Sequence, residues 1–252
     1  MAHKQAVLKL DKKPGETPLE CVNRFKAENP EYVGEKMTYA GRLDPLASGV
    51  LLVLVGEECK KKEKYLGRDK EYELTILFGF STDSMDLLGL IEEKKEGAFK
   101  ALGNYKKNDF ENLLKKFKKV FKQKYPRFSS KTVNGKPLFQ ISKEEGIEEK
   151  DLPEKEVKIK KIEFQSFGFI SKKYLRDFAL ENIFSVKGNF RQNMIWSLWE
   201  KTLEKFPDNN LPTLTIKVKC TSGTYMRSLA QAIGAEIGFP ALALKIKRLS
   251  IG

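Results

Sequence analysis

Residues 50 to 55 form an unbroken apolar run that directly follows a loop punctuated by glycine and proline. A short, valine-rich run of this kind predicts a strand that is buried on both faces. In the loop, Gly41 and Gly49 permit backbone conformations that other residues resist, and Pro45 biases the preceding Asp44 away from helix. The pattern therefore predicts a rigid loop that is anchored at one end by a strand and carries one carboxylate.

An aspartate in this setting has two interpretations. Asp-Pro often begins a turn, where the aspartate only hydrogen-bonds to its own backbone. The alternative is a catalytic acid, and the scarcity of other reactive groups favours it. The chain has one histidine, His3, and its three cysteines, Cys21, Cys59 and Cys220, lie far apart without paired spacing. The sequence therefore predicts neither a metal site nor a disulfide framework, and it leaves any chemistry to carboxylates, tyrosine, lysine and arginine.

The charge balance of the chain predicts a polyanionic partner. Its 252 residues contain 47 lysines and arginines against 34 acidic residues, a formal net charge of +13. Such an excess indicates nucleic acid or an anionic surface, although it can also serve solubility alone. The longest apolar run falls far short of the roughly 20 residues that span a bilayer, and the N-terminus lacks the apolar region of a signal peptide. We therefore expect a cytoplasmic protein without membrane contact.

Hydrophobic periodicity predicts an α+β fold with a mixed, mainly antiparallel sheet flanked by helices, because strands and helices interleave without a regular βαβ rhythm. A capping box at Thr17 and Glu20 begins the first predicted helix. Predicted helices cover residues 17–28, 57–65, 108–125, 192–206 and a segment from Met226 onward; predicted strands cover residues 50–55, 71–80, 157–164 and 214–220. The segment from about 165 to 211 differs in composition and is interpreted as an insertion.

Ordered sequence blocks along the chain resemble the TruB-type tRNA pseudouridine synthases. The blocks are Lys13-Pro14-Gly15, the loop 41–49, Tyr72 with Ser81-Thr-Asp-Ser-Met-Asp86, the segment 125–136, Gly223 to Leu229, and Ile246 to Leu249. The resemblance implies the pseudouridine synthase fold and a reaction without cofactor or metal. In that reaction the glycosidic bond of a uridine is broken, and the base turns and rejoins the sugar through carbon 5.

The resemblance also implies a role for five residues. Asp44 matches the essential aspartate, and Arg227 matches the arginine that pairs with it. Tyr72 matches the tyrosine that stacks on the flipped base, Ile246 an apolar residue that closes the pocket, and Tyr225 lies beside Arg227 in the same motif. Three of these residues also have a purely structural interpretation: Tyr72 as a sheet residue, Ile246 as a core residue and Arg227 as a surface cation.

The loop departs from the family pattern Gly-His-Thr-Gly-Thr-Leu-Asp-Pro at two positions. Tyr39 stands where histidine is usual, and Arg42 replaces threonine, a spelling that is similar to the related RsuA and RluA synthases. The catalytic class is the same in both cases, so the difference concerns how the flipped nucleotide is held. We assign Tyr39, Arg42 and Tyr225 to substrate binding with Ile246, and add the cations Lys13, Arg127 and Lys131 as RNA contacts.

The sequence thus predicts a single catalytic domain over residues 1–252, with an insertion at about 165–211 and without a C-terminal PUA domain. The resemblance implies a monomeric enzyme acting on U55 in the tRNA T-arm, without guide RNA. Two alternatives stay open, namely a ribosomal RNA pseudouridine synthase and a non-catalytic tRNA-binding folding helper. Aromatic and basic residues of the insertion either contact RNA or form a local helical pack; they are Phe190, Arg191, Trp196 and Trp199.

Overall fold

The computed structural model describes residues 5–144 and 146–252, and its central feature is an eight-stranded sheet. The strand order is β1-β3-β12-β4-β11-β10-β7, and β2 pairs with β3. The sheet strands are β1 (Val7–Lys12), β2 (Met37–Ala40), β3 (Ser48–Val55), β4 (Lys70–Phe78), β7 (Val120–Lys124), β10 (Glu154–Ser171), β11 (Asn210–Cys220) and β12 (Ala241–Ile251). Two small hairpins complete the strands: β5 (Phe80–Thr82) with β6 (Ile91–Lys94), and β8 (Thr132–Val133) with β9 (Lys136–Pro137).

Helices pack against both faces of the sheet. They are α1 (Pro18–Glu28), α2 (Lys62–Leu66), α3 (Ala98–Leu102), α4 (Lys107–Lys115), α5 (Leu138–Glu144), α6 (Lys172–Ser185), α7 (Gln192–Lys205) and α8 (Met226–Ile237). Helices α4 and α8 bury their apolar sides on the central strands, α1 packs on β1 and β3, and α6 and α7 form a hairpin with its own core. None of the helices described is long and apolar enough to cross a membrane.

The α+β prediction is confirmed. Every pairing within the large sheet is antiparallel except that of β12 with β3, so the sheet is mixed and mainly antiparallel. The apolar run lies in β3, whose residues 51 to 54 are almost wholly buried. Helix α1 also begins as predicted, because Thr17 Oγ1 accepts from the Glu20 amide at 3.2 Å and the Glu20 carboxylate accepts from the Thr17 amide at 2.8 Å.

The predicted helix 108–125 is wrong in its second half. Helix α4 ends at Lys115, and residues 120–124 form β7, which pairs with the start of β10. Phe117 and Phe121 still pack against the core that the helical pattern predicted for them. Pairing with β10 supplies partners for the backbone of this segment, and tertiary context of this kind overrides local periodicity.

The segment 165–211 is only partly separate from the sheet. Strand β10 continues to Ser171 and β11 begins at Asn210, and the two strands pair as far as these ends. The chain between them forms the α6–α7 hairpin, and α7 confirms the helix predicted at 192–206. The long β10 was missed beyond residue 164 because its outer half alternates less clearly between apolar and polar residues. The part of this segment that lies outside the sheet is therefore the α6–α7 helical hairpin.

Candidate active site

The loop that carries Asp44 joins β2 to β3 and is held on one side by a buried lysine. The Lys12 ammonium, at the end of β1, donates to the carbonyl oxygens of Pro45 at 2.9 Å, Ala47 at 2.6 Å and Lys13 at 2.9 Å. Its side chain is inaccessible to solvent, and burial lowers the pKa of Lys12 to about 8. A single cation thus fixes three backbone carbonyls at and beside the loop.

A second buried cation holds the other side of the same loop. The guanidinium of Arg248, on β12, donates to the carbonyl oxygens of Val50 at 2.7 Å, Gly41 at 3.0 Å and Arg42 at 3.4 Å. Gly49 is required beside it: its φ is +96°, and a Cβ there would lie 2.2 Å from the Arg248 carbonyl oxygen. The loop is therefore clamped between β1 and β12, as a rigid presentation of Asp44 requires.

Asp44 forms a bidentate ion pair with Arg227, the second residue of α8. Arg227 Nε donates to Asp44 Oδ2 at 2.8 Å and Nη2 donates to Oδ1 at 3.0 Å. The remaining donors of the guanidinium reach the carbonyl oxygens of Ser84 at 2.8 Å and Phe128 at 3.3 Å. The Arg227 side chain is 3% exposed, whereas that of Asp44 is 33% exposed. The arginine thus fixes the orientation of a carboxylate that solvent or a substrate can still reach.

A second carboxylate, Asp86, lies behind this pair. Its Oδ2 is 3.8 Å from Arg227 Nε, and its Oδ1 accepts from Ser84 Oγ at 2.6 Å and from the Leu88 amide at 2.9 Å. Burial raises the pKa of the Asp86 carboxyl. Burial lowers the pKa of Arg227, but the carboxylates of Asp44 and Asp86 outweigh that effect and the net shift is upward. Arg227 therefore stays charged between two carboxylates.

Two cavities meet at Asp44, and they share the side chains of Tyr39, Arg42 and Leu43 with it. The first, of about 440 Å³, is lined by the family-assigned Tyr72, Tyr225 and Ile246 and by Lys70 and Arg248. The second, of about 310 Å³, has several aromatic and basic side chains in its walls, among them Phe128, Phe139, Lys143, Phe190 and Arg191. The carboxylate thus lies at the junction of two cavities that both have aromatic and cationic side chains in their walls.

In the first cavity, Tyr72 is buried and Tyr225 is half-buried. Tyr72 lies on β4, and burial raises its pKa to about 12, so its hydroxyl stays protonated near neutral pH. Tyr225 precedes α8, and both its amide and its carbonyl bond to the Gln123 side chain, at 2.8 and 3.2 Å. Its ring makes an edge contact with Tyr125, with centroids 5.6 Å apart. Ile246 is half-buried on β12 and adds an apolar wall.

The sequence of the chain decides its family. The TruB family pseudouridylate synthase (N-terminal domain) matches residues 30–180. The chain belongs to the TruB family. Curated relatives extend the match: the chain is 31% identical over 218 residues to tRNA pseudouridine synthase B of Staphylococcus aureus (strain MSSA476), and 30% identical over 235 residues to that of Bacillus pumilus (strain SAFR-032).

These alignments cover 86% and 93% of this TruB-family chain but 58% and 61% of the relatives. The chain therefore spans about three fifths of the length of the curated relatives it matches. Among solved structures, the chain resembles one in a Cbf5-Nop10-Gar1 complex, with a TM-score of 0.56 and 20% identity over 98% of this chain and 48% of that one. A chain from an H/ACA RNP bound to a substrate RNA matches with a TM-score of 0.53 and 18% identity, over 98% of this chain and 47% of that one. At this identity the likeness shows the fold alone.

Within this TruB-family site, the residues assigned from sequence fall into two groups. Six of them line the first cavity, namely Asp44, Tyr72, Tyr225, Ile246, Tyr39 and Arg42. Arg227 lines the second cavity and pairs with Asp44. The guanidinium of Arg42 lies 5.8 Å from the centre of the Tyr39 ring, so the two atypical residues of the loop contact each other.

The other three assigned residues lie outside both cavities. Lys13 is exposed and pairs with Asp11 at 2.7 Å, and Arg127 pairs with Glu92 at 3.3 Å. The ammonium of Lys131 lies 5.5 Å from the ring centre of Tyr125. Among the residues that the structure describes, no three His, Cys, Asp or Glu side chains form a metal-binding group, and the three cysteines are free. His3 lies outside the described residues.

Three buried residues of the site were not singled out from sequence: Lys12, Asp86 and Arg248. Lys12 has a signal in the alternation of β1, because it continues the inward face that begins at Leu8. Asp86 is the last residue of the block Ser81 to Asp86, and Arg248 lies within the block 246–249. Both residues therefore belong to segments that resemble the family, but the sequence assigned neither of them a role. Lys13 belongs to the matched block Lys13-Pro14-Gly15, whereas the neighbouring Lys12 is the residue that holds the loop.

Proposed function

We propose that this protein is a tRNA pseudouridine synthase that isomerises U55 of the T-arm, with Asp44 as the catalytic carboxylate. The observation that carries the proposal is the Asp44–Arg227 pair, in which a buried guanidinium holds a partly exposed carboxylate at the junction of two cavities. The tRNA substrate is taken from the names of the curated relatives, and position 55 from the TruB resemblance of the site motifs.

In the proposed reaction, the carboxylate of Asp44 acts on the sugar of a uridine. The bond between C1′ and N1 breaks, the base turns, and C1′ bonds to C5; the hydrogen on C5 then leaves as a proton and N1 gains one. Asp44 acts either as a nucleophile at C1′ or as a base toward the sugar. Each of its oxygens accepts one bond from Arg227 and keeps a further acceptor site, so both routes fit its geometry.

The first cavity suits a base that has left the RNA stack. An enzyme reaches the glycosidic bond of a paired or stacked nucleotide only after the base has been flipped out. The Tyr72 ring and the Ile246 side chain provide apolar walls beside Asp44, and these can replace the stacking that the base loses. The protonated hydroxyl of Tyr72 adds no negative charge that would oppose an anionic carboxylate or a uracil released as an anion.

The domain organisation is part of the proposal. The described residues form one sheet-centred catalytic unit, and the α6–α7 hairpin is an insertion between β10 and β11. The α6–α7 hairpin lies between two strands that pair up to their ends, so β10 and β11 without it would be an ordinary β-hairpin. The excess of basic residues favours an RNA substrate over an uncharged one.

The test is release of tritium from tRNA transcripts labelled at carbon 5 of uridine, because C5 loses its hydrogen only when the base is rejoined there. We expect release by the wild type and none by Asp44→Asn. Asp11→Asn is the matched control, since Asp11 is exposed and, among the described residues, its carboxylate pairs with Lys13. A transcript with cytidine at position 55 should release no tritium. Equal release by wild type and Asp44→Asn would refute the role of Asp44.

Two other outcomes would identify the alternative functions. Release from ribosomal RNA fragments but not from tRNA would identify a ribosomal RNA enzyme. Binding of tRNA without release, together with unchanged binding by Asp44→Asn, would identify a folding helper.

A further inference from the structure

The connection between α6 and α7, residues 186–191, is a preorganised loop that reaches the Asp44 site. The side-chain amide of Gln192 donates to the carbonyl oxygens of Val186 at 2.9 Å and Gly188 at 2.8 Å, and its oxygen accepts from the Phe190 amide at 2.9 Å. The last loop residue, Arg191, has a φ of +63°, a conformation that residues other than glycine adopt uncommonly. The loop therefore presents the side chain of Arg191 in one fixed direction.

Arg191 contacts two segments at the wall of the second cavity. Its Nη1 donates to Asp83 Oδ2 at 2.8 Å and its Nη2 donates to Asp83 Oδ1 at 3.2 Å. The same guanidinium lies 4.8 Å from the centre of the Phe128 ring. The side chains of Arg191 and Asp83 are 27% and 13% exposed, so the pair is shielded better than an ordinary surface ion pair.

The two segments that Arg191 contacts are those that hold Arg227. Asp83 precedes Ser84, whose carbonyl oxygen accepts from Arg227 Nη1 at 2.8 Å. The carbonyl oxygen of Phe128 accepts from Arg227 Nη2 at 3.3 Å. Apart from Asp44, these two carbonyls are the hydrogen-bond acceptors found for the Arg227 guanidinium within the described chain. Arg191 thus supports both backbone acceptors of Arg227 from outside the site.

Asp83 is also the residue on which the turn between β5 and β6 depends. Its Oδ1 accepts from the Leu90 amide at 2.9 Å, and its own amide donates to the Leu90 carbonyl at 3.0 Å. A Cβ at Gly89 would lie within 2.7 Å of Asp83 and Ser84 side-chain atoms, so the turn is closely packed. A displacement of Asp83 would therefore move Ser84 and its carbonyl with it.

We propose that Arg191 is a positioning residue: the inserted hairpin fixes the orientation of Arg227, and through it that of Asp44, by clamping Asp83 and Phe128. Its kinetic consequence depends on the function proposed above, since it concerns the rate of the Asp44 step. A residue that only bound RNA from the cavity rim would change KM or affinity. A positioning residue changes the rate constant of the bound complex, because misplacement of a catalytic group is felt after binding.

The chain offers a matched control on the same hairpin. Arg176 pairs with Glu200 at 2.7 Å and lies 5.5 Å from the ring centre of Trp196, so it makes the same two kinds of contact as Arg191. Its side chain is 46% exposed and it lines neither cavity at Asp44. Arg176→Gln therefore removes an arginine, an ion pair and a ring contact from the hairpin without touching the site.

The experiment measures single-turnover tritium release at saturating tRNA, with the RNA dissociation constant measured separately. We expect Arg191→Gln to lower the rate constant about tenfold with little change in affinity, and Arg191→Lys to lower it less, because lysine keeps the charge and loses the bidentate geometry. Asp83→Asn, which keeps an oxygen for the Leu90 amide, should lower the rate similarly. The double variant should be no slower than the slower single variant, because both changes remove one interaction.

A second measurement is independent of activity. Hydrogen exchange should become faster at the amides of Leu88 and Leu90 in Arg191→Gln but not in Arg176→Gln, with the unfolding midpoints of the two variants compared by urea titration. This result would support the inference even if the wild type released no tritium from tRNA, an outcome that counts against the proposed function alone. The inference is overturned by unchanged exchange at both amides, by a loss of affinity at an unchanged rate constant, or by independent, multiplying losses in the double variant.

Discussion

Replacement of Arg227 tests whether the site is organised around its buried charge. Arg227→Met keeps an unbranched side chain of similar length but removes the cation between Asp44 and Asp86. Asp44 is partly exposed and can recover water, whereas the Asp86 side chain is only 8% exposed and keeps just its bonds from Ser84 and Leu88. The penalty in folding free energy should therefore fall mainly on Asp86.

The magnitude follows from the burial of this pair. Removing one partner of a buried ion pair costs about 3–5 kcal/mol, because the other charge is left without compensation. At about 2–4 °C per kcal/mol for a chain of this size, Tm should fall by about 6–20 °C. The sharper prediction concerns Asp86→Asn. In the wild type this change removes a partner of Arg227 and should destabilise by about 1 kcal/mol, whereas in Arg227→Met it removes an unpaired charge and should recover about 1–3 kcal/mol.

Urea unfolding at neutral pH of the wild type, Arg227→Met, Asp86→Asn and the double variant measures whether the effect of Asp86→Asn changes from destabilising to stabilising. The pH dependence gives a second check. The carboxyl of Asp86 has a pKa raised above the ordinary 3.8, and loss of the neighbouring cation raises it further. A raised carboxyl pKa means that the folded protein binds more protons than the unfolded one, so stability falls as pH rises from 3.8 through the folded pKa. The deficit of Arg227→Met should therefore shrink in acid. Equal destabilisation by Asp86→Asn in both backgrounds would refute the reasoning.

Two further predictions concern the clamp on the Asp44 loop. The pKa of Lys12 is about 8 in the folded protein against an ordinary 10.5, so the unfolded chain binds more protons between these two pH values and the free energy of unfolding should rise with pH across that window. Lys12→Met should reduce the slope of the unfolding free energy against pH, measured by urea titration. An unchanged slope would contradict the assignment of this pKa to Lys12. Gly49→Ala should lower the free energy of unfolding by about 3 kcal/mol or more, because the added Cβ would clash with the Arg248 carbonyl oxygen and the backbone has a positive φ. Gly34 has open space around it, so Gly34→Ala should leave the free energy of unfolding nearly unchanged. Similar urea midpoints for the two variants would count against a required glycine at position 49.

The loop was predictable from sequence, but the cations that hold it were not. Glycine and proline at fixed positions carry their own conformational preferences, so the rigid loop before β3 could be read directly. Lys12 and Arg248 act by burying a charge against backbone carbonyls, and that arrangement depends on three strands that are distant in sequence. A lysine in a lysine-rich chain is normally a surface residue, and only the inward alternation of β1 distinguishes Lys12 from its neighbour.

The helix predicted at 108–125 failed for a related reason. Its apolar residues recur at helical spacing, and all but the exposed Val120 pack against the core, but Val120 to Lys124 extend along β10. Periodicity indicates which residues face inward, whereas the choice between a fourth turn of helix and an added strand depends on whether a strand edge is available. The edge is supplied by residues 154–158, about 30 residues later in the chain, so no local pattern contains this information.

The α6–α7 hairpin shows how one segment can both form a local helical pack and line the second cavity. Trp199 is fully buried in the hairpin core and contacts Phe80 with ring centroids 5.4 Å apart. Phe80 begins β5, and three residues later Asp83 receives the ion pair from Arg191. The hairpin therefore contacts the chain at the start of β5 through an apolar residue and directly after β5 through a charged one. Because the apolar contact fixes where the hairpin lies and the charged contact fixes the turn that bonds Arg227, the packing of the hairpin and the geometry of the Asp44–Arg227 pair are coupled through the same short strand.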